Sequence, residues 1–486
     1  MKTLSDLLYT VSIDAVYGDV QRKVRKLVFD SRDIEPNCLF VALKGVAFDG
    51  HDYIVKAISS GAVAVVCEKL PPEVTDTCTF IQVASTRTAL GIMAANFYDN
   101  PSRKLQVIGV TGTNGKTSVA TMLYELFSLL GYQVGLMSTV TVRVGSQVIQ
   151  ATHTTPDPIQ IQEHFHAMVE AGVSHCFMEV SSHGIDQDRI AGIGFAGGVF
   201  TNLTHDHLDY HKTFAAYRNA KKKFFDQLPS TAFAWINADD KNGTYMVQNC
   251  RAKKKTFALR TYADYTVQIL EQQLSGMLLK IQATEVWTTL VGRFNASNLI
   301  AVFAVADTME LDVLDSLSAM SQLRPVPGRF QVFEGSENRH VVVDYAHTPD
   351  ALTNTLETIN QIRTKNETLI TIIGCGGNRD QDKRPKMGHI AAHLSDQAIF
   401  TSDNPRGEDP QEILRAMRSG VAPEEYKKTL VIENRREAIQ AAYQFSKPND
   451  IVLIAGKGHE NYQEIDGNKI PFDDYQIAKQ IFSNTP

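Results

Sequence analysis

Cysteine is scarce and scattered. The six residues, Cys38, Cys67, Cys78, Cys176, Cys250 and Cys375, contain no C-x-x-C pair. That argues against a disulfide framework or a cysteine-based zinc site and fits a reducing compartment. No apolar run approaches the ~20 residues that a membrane span needs. The opening Met1-Lys2-Thr3-Leu4 leads into no hydrophobic stretch, because Asp6 and Asp14 interrupt it. A cytoplasmic protein without membrane insertion is expected. Positive charge is not in surplus either. With 48 basic and 54 acidic residues the net charge is −6, so no basic field advertises nucleic acid or an anionic membrane. Any phosphate would have to be held by local groups. Repeats and low-complexity segments are also missing, so domain boundaries must come from local punctuation.

What is present is a chain of 486 residues, long enough for about three domains. The expected fold class is α/β. A small N-terminal α/β domain covers 1–102, ending at the linker-like Asn100-Pro101-Ser102. A central domain with a P-loop nucleotide-binding parallel sheet covers 103–324, and a C-terminal Rossmann-like doubly wound domain covers 325–486. Strands are expected at 39–43, 62–66, 105–110, 176–180 and 198–202, with β-structure across 256–290. A helix is expected at 53–60, and another at 117–130, closed by Gly131. In the last third, strands at 340–343, 369–373, 397–401 and 451–454 alternate with helices at 350–363, 384–394, 410–417 and 436–444. That rhythm predicts a parallel sheet with ligands at the carboxyl ends of its strands.

The run Thr111-Gly112-Thr113-Asn114-Gly115-Lys116-Thr117-Ser118 lies between an expected strand and an expected helix. Backbone N–H groups of such a loop can surround phosphate oxygens at the positive end of the helix. Lys116 would reach the β- and γ-phosphates, and the Thr117 hydroxyl would hold Mg²⁺. Glu179, at the end of the 176–180 strand, is a natural Mg²⁺ ligand beside that loop. The segment from His205 to His211 packs three histidines and two aspartates into seven residues. On its own it could be a zinc or iron site, or a polar loop of hydrogen-bonded turn residues. The lysines 221–223 would ordinarily form a solvated face.

Thr-Gly-Thr-Asn-Gly-Lys-Thr resembles the ATP loop of the Mur ligases and the related folylpolyglutamate synthases. Further segments in the same order resemble the Mur ligases over more than 300 residues: Asp206-His207-Leu208-Asp209-Tyr210-His211, Gly292 to Asn298, Gly328-Arg329-Phe330 and Asp344 to Asp350. The resemblance implies that ATP is bound by residues 111–118, Asn295, Asn298, Arg329 and Asp344, the last on the ribose. It implies two Mg²⁺ ions held by Thr117, Glu179, His207 and a CO₂-derived carbamate on Lys221, with Lys222 and Lys223 left on a solvated face. Lys116, Lys221, His207 and Arg329 would carry the catalysis. Ser31, Thr154, Thr155, Ser181 and Arg189 match positions that bind a UDP-linked precursor. Asp403-Asn404-Pro405-Arg406 resembles the family's motif for meso-diaminopimelate, with Arg379, Gly456 and Glu460 as further contacts. Arg406 could grip the distal carboxylate of that amino acid, which lysine lacks, through two parallel hydrogen bonds. The implied activity is ATP-dependent joining of meso-diaminopimelate to the D-Glu γ-carboxylate of UDP-MurNAc-L-Ala-D-Glu through an acyl phosphate, by a monomer. A lysine-adding ligase of the same family and a folylpolyglutamate synthase-like ligase are the alternatives. His347 is a candidate to take the proton of the attacking amine.

Overall fold

The computed structural model describes residues 1–45, 48–74 and 76–483. The chain is α/β, and among the described residues it is organised on three large sheets. The first has five strands and lies between Ala15–Tyr17 and Thr79–Gln82. The second has eleven, running from Gln106–Thr111 to Thr284–Thr288. The third has six, from Gln331–Glu334 to Ile451–Ala455. No helix of the described residues is long and apolar enough to cross a membrane.

The eleven-stranded sheet is parallel in its middle. Gln106–Thr111 lies between His175–Glu179 and Phe195–Phe200 and pairs in parallel with both, with a register shift between Phe195 and Gly197. Val107, Ile108 and Val110 are fully buried, as a parallel strand covered on both faces requires. The segments leaving the carboxyl ends of these three strands therefore meet at one edge. The β-rich stretch expected at 256–290 forms Lys253–Ala258, Tyr265–Gln273, Gly276–Ile281 and Thr284–Thr288, and antiparallel pairing begins at the second of these.

Gly109 and Gly198 face each other across two adjacent strands. A Cβ on Gly109 would come within 2.7 Å of Phe224 Cζ, and one on Gly198 within 2.8 Å of Phe224 Cε1. Their missing side chains make the seat for that ring, so the helix Phe214–Asp226 packs tightly on the sheet. Lys221 and Phe224 share a face of this helix, as residues three apart do.

The third sheet is parallel except for its edge strand Gln331–Glu334. Its inner strands Leu369–Ile373 and Ile451–Ala455 are buried end to end. The helices Pro349–Ile362, Lys383–Leu394, Pro410–Arg418 and Arg435–Phe445 fall where the apolar spacing predicts them.

Three expectations shift. The strand expected at 39–43 is Cys38–Val41; the chain turns beyond it, with Leu43 O accepting from Gly50 N. The strand expected at 198–202 is Phe195–Phe200; Thr201 N still donates to Thr111 O at 3.0 Å, while the side chains of Thr201 and Asn202 turn to the loop that follows Gln106–Thr111. Asn100-Pro101-Ser102 is no free linker. Pro101–Lys104 is a short 3-10 turn, Pro101 and Ser102 are buried, and Ser102 Oγ accepts from Gly194 N at 3.0 Å.

Beneath the third sheet Arg435 and Asp474 form an ion pair with both side chains fully buried. Arg435 Nε and Nη2 donate to the carboxylate at 2.8 and 2.6 Å, and Nη2 also reaches Ala455 O at 3.0 Å. The pair ties the helices Arg435–Phe445 and Asp474–Ser483 to the end of Ile451–Ala455. Removing one partner strands the other charge, so Asp474→Ala should lower stability by ~3–5 kcal/mol. Urea unfolding checks this, and an unchanged midpoint would refute it.

Candidate active site

The loop after Gln106–Thr111 carries the residues expected to hold phosphates. Gly115 has φ +87°, a left-handed conformation that glycine adopts without strain, and it begins the helix Lys116–Leu129. A Cβ on Gly112 would collide with Thr201 Oγ1. The loop is braced from the neighbouring strand end. Thr201 Oγ1 and Asn202 Nδ2 donate to Asn114 O at 2.6 and 3.0 Å, and Asn114 N donates to Asn202 Oδ1 at 2.9 Å. Thr113 Oγ1 lies 3.0 Å from Tyr217 OH. Lys116 Nζ is folded over the loop, donating to Gly112 O at 3.0 Å and Thr113 O at 2.8 Å. Thr117 and Ser118 are buried in the first helical turn.

Lys221 arrives from below. It is 1% exposed, and its Nζ donates to Gly112 O at 2.7 Å and sits 4.9 Å from the Tyr217 ring centroid. Burial, and then the charge of Lys116, hold its ammonium well below the usual lysine range, against the pull of Asp206. A lysine so placed is readily neutral, and a neutral amine is nucleophilic. Lys222 is not on a solvated face: it is buried and paired with Asp226 at 2.7 Å. Lys223 is paired with Asp188.

Glu179 is fully buried at its strand end. Its Oε1 accepts from Thr139 N at 2.6 Å, while Oε2 has no partner among the described residues. An unpartnered buried carboxylate oxygen beside a phosphate loop fits a hard oxygen-seeking cation. His207 has φ +54° and lies beside Asp206, Nε2 to Oδ2 at 3.4 Å. Desolvation holds its imidazole below the usual histidine range, against the pull of Asp206, so it is a neutral potential ligand. The histidine run does not converge on a point. Among the described residues no group of three His, Cys, Asp or Glu side chains is arranged to hold a metal, and His205 is exposed. His183, His207, His211, Tyr210 and Tyr217 instead pack against one another edge-on or tilted, with His183 centred 4.9 Å from His207 and 5.5 Å from His211.

Asn295 and Asn298 stand at the start of the helix Arg293–Thr308, and Asn298 Oδ1 lies 2.7 Å from the Cβ position of Gly115. From the last third of the chain, Arg329 Nη2 reaches Thr117 Oγ1 at 3.3 Å, with its guanidinium 4.3 Å from the Tyr345 ring centroid. Asp344 faces inward: its oxygens accept from Phe330 N at 2.6 Å and Thr355 Oγ1 at 3.1 Å. Asp350, not singled out in the sequence, lies against the loop and accepts from Asn114 Nδ2 at 3.2 Å. Lys383, also missed, donates to His347 O at 2.9 Å. Its place six residues after Gly377, in the glycine-rich segment that follows the strand Leu369–Ile373, was the available signal. His347 is half-buried, and desolvation pushes its imidazole down to about 4.

Thr155, Ser181 and Arg189 form one cluster. Thr155 Oγ1 donates to Glu179 O at 2.9 Å, Ser181 N donates to Thr155 Oγ1 at 3.0 Å, and Arg189 Nη1 donates to Thr155 O at 2.7 Å. Thr154 joins through Thr139 Oγ1 at 3.0 Å. Ser31 stands apart, half-buried, beyond the strand Lys26–Val28 of the first sheet.

The four residues 403–406 follow Gln397–Phe400 and are packed on glycines. A Cβ on Gly374 would come within 3.0 Å of Asp403 Cβ, one on Gly456 within 2.8 Å of Asp403 Oδ2, and one on Gly377 would collide with Pro405 O. Asn404 Nδ2 donates to Glu460 Oε2 at 2.7 Å. Arg406, at φ +53°, donates from Nη1 to Gly377 O at 2.8 Å and lies 3.3 Å from Glu464. Arg379 is exposed nearby, its Cγ 3.7 Å from the Cβ position of Gly376. Asp403, Asn404, Pro405, Arg406, Gly456 and Glu460 are thus brought together.

The family description "Mur ligase middle domain" matches residues 110–306, "Mur ligase, glutamate ligase domain" matches 328–458, and "Mur ligase family, catalytic domain" matches 23–98. The chain belongs to the Mur ligase family. It is 50% identical over 479 residues, 98% of each chain, to the UDP-N-acetylmuramoyl-L-alanyl-D-glutamate--2,6-diaminopimelate ligase of Cytophaga hutchinsonii. It is 48% identical over 481 residues, 99% of each chain, to the protein of the same name from Phocaeicola vulgatus. A solved structure of a ligase with that name superposes with a TM-score of 0.69 at 32% identity, covering 99% of this chain and 98% of that one. The family resemblance seen in the sequence is borne out along the whole chain.

Because Gly112 must pass beneath Thr201, Gly112→Ala should weaken ADP binding about five- to a hundredfold, given ~1–3 kcal/mol for forced backbone strain. Calorimetric titration of ADP measures this, and an unchanged Kd would show that the loop tolerates the methyl group.

Proposed function

We propose that the protein joins meso-diaminopimelate to the D-Glu γ-carboxylate of UDP-MurNAc-L-Ala-D-Glu, using ATP. The observation that carries this reading is the pocket of Asp403, Asn404, Arg406 and Glu460, built on glycines at the strand ends of the third sheet. It offers an arginine for a carboxylate and acids for an ammonium, as the far end of diaminopimelate requires. The names of the full-length relatives support the same substrate pair. In this reading 1–102 binds the nucleotide precursor, 103–324 binds ATP and 325–486 binds the amino acid. Ser31, Thr154, Thr155, Ser181 and Arg189 serve the precursor, and Arg379 assists the amino acid. The six cysteines, all buried and free, suit a cytoplasmic monomer.

The residues do their work by placement. The loop 111–118 wraps the phosphates, with Asn295 and Asn298 backing it and Asp344 turned toward the ribose on binding. Lys116 and Arg329 face the loop from two sides and offset the charge of the transferring phosphoryl group. Thr117, Glu179, His207 and Lys221, the last as a carbamate, would hold two Mg²⁺ ions, which supply further charge neutralisation when bound. The neutral Lys221 amine attacks CO₂, forming an N–C bond and releasing a proton. The product is an anionic oxygen donor of the type Mg²⁺ prefers. The substrate γ-carboxylate attacks the γ-phosphate, ADP departs, and the amine displaces phosphate from the acyl phosphate. In this reading the neutral His347 takes the amine's proton.

Phosphate release with ATP, Mg²⁺ and UDP-MurNAc-L-Ala-D-Glu should be strong with meso-diaminopimelate and weak with L-lysine. Arg406→Ala should raise KM for diaminopimelate about ten- to a hundredfold, the worth of a charge-assisted hydrogen-bond pair. Preference for lysine would sink the specificity, and release with neither would sink the whole reading. The carbamate has its own readout: protein in ¹³C-bicarbonate should give a carbamate carbon resonance by NMR that disappears in Lys221→Ala. Its absence from the native protein would remove that ligand from the scheme.

A further inference from the structure

The loop that supplies Glu460 also carries a cation that the scheme above leaves without a task. Lys457 is fully buried. Its ammonium donates to Asn404 Oδ1 at 3.0 Å and Glu460 Oε2 at 3.3 Å, lies 3.8 Å from Asp403 Oδ1, and sits 5.7 Å from the Tyr462 ring centroid. A buried ammonium persists only where it is paired. This one stands among groups from two strand ends, Asp403 and Asn404 after Gln397–Phe400 and Glu460 after Ile451–Ala455. These are the groups that the proposed amino-acid pocket needs in fixed places.

We propose that Lys457 is a positioning residue for the diamino acid: its ammonium fixes the Asn404 amide and the Glu460 carboxylate in the orientation that receives the substrate's distal ammonium. The proposal rests on the reading of the pocket given above. The amide shows how the fixing works. With Asn404 Oδ1 turned to Lys457 Nζ and to Glu464 N at 2.9 Å, its Nδ2 must face Glu460 Oε2, to which it donates at 2.7 Å. Glu460 Oε2 is thereby held by two protein donors. Oε1 has only the Tyr345 hydroxyl at 3.4 Å, a weak contact that leaves it available to a ligand.

The same cation sets the charge of the pocket. Glu460 faces Lys457, Asp403, the hydroxyls of Tyr345 and Tyr462 and, farther off, Arg435. Burial and then Asp403 push its carboxyl up, while Lys457 and the Asn404 amide pull it back. Without Lys457 the upward push is unopposed by a near cation. Glu460 then stays protonated to higher pH, and a protonated Glu460 does not attract an ammonium.

The test uses the full chain with Lys457→Met and Lys457→Gln, the second keeping a hydrogen-bond donor without the charge. Steady-state kinetics are measured against pH for the amino acid that the native protein prefers, and KM is measured for ATP and the UDP precursor. In both variants KM for the amino acid should rise about tenfold at neutral pH, and the acid limb of kcat/KM should move up by about one to two pH units. KM for ATP should not change. An unmoved acid limb in either folded variant overturns the proposal, and so does an equal loss for all three substrates, which would mark Lys457 as a fold residue. If the native protein prefers lysine, the functional reading fails, while the acid limb still tests Lys457.

Discussion

The site depends on how closely one helix can approach one sheet. Gly109 and Gly198 lie side by side in adjacent parallel strands, and the Phe224 ring occupies the space their side chains would fill. Because of that seat, Lys221 reaches the carbonyl of Gly112 from beneath the phosphate loop. A side chain at either glycine would push the helix away from the sheet. The amine would then lose both its burial and its contact with the loop. The depressed basicity of Lys221 is a result of this packing, since burial is its largest cause.

A second close approach couples the two ends of the chemistry. Gly328, at φ +68°, packs its backbone on Gly458 and His459. Arg329 reaches Thr117 of the glycine loop on one side of that contact, and Lys457 and Glu460 face the proposed amino-acid pocket on the other. Tyr345 bridges the same region, with the Arg329 guanidinium over its ring and His459 stacked 4.9 Å away. The segment that carries Arg329 and the one that carries Lys457 and Glu460 are thus in direct backbone contact.

Charge is distributed with the same economy. Lys116, Lys221 and Arg329 surround the loop, and the buried Glu179 and Asp206 are their counter-charges. In the third sheet Lys457 and Arg435 perform that service for Asp403 and Glu460. Neither set leaves a large uncompensated charge in the interior, where desolvation would be severe.

Much of this was legible in the sequence. Apolar runs such as Leu369–Ile373 and Ile451–Ala455 are read as strands because burial on both faces demands uninterrupted hydrophobicity. The phosphate loop is read from glycines and a lysine adjacent in the chain, and the Asp-Asn-Pro-Arg segment, with Gly456 and Glu460, from resemblance to the family. Residues whose roles come from distant partners were not legible. Thr201 and Asn202 look like the tail of a strand, yet they hold Asn114. Lys222 looks solvated, yet it is buried against Asp226. Asp350 looks like an ordinary first-turn acid, and only the fold sets it against the loop. The sequence by itself determined the α/β class, the order of the elements and the kinds of chemistry available, because periodicity and local motifs are properties of neighbours along the chain. Tertiary structure decided which charges are buried, which carbonyl each lysine meets and which oxygen of each carboxylate is left free. Those depend on contacts between segments up to hundreds of residues apart, and no local pattern encodes them.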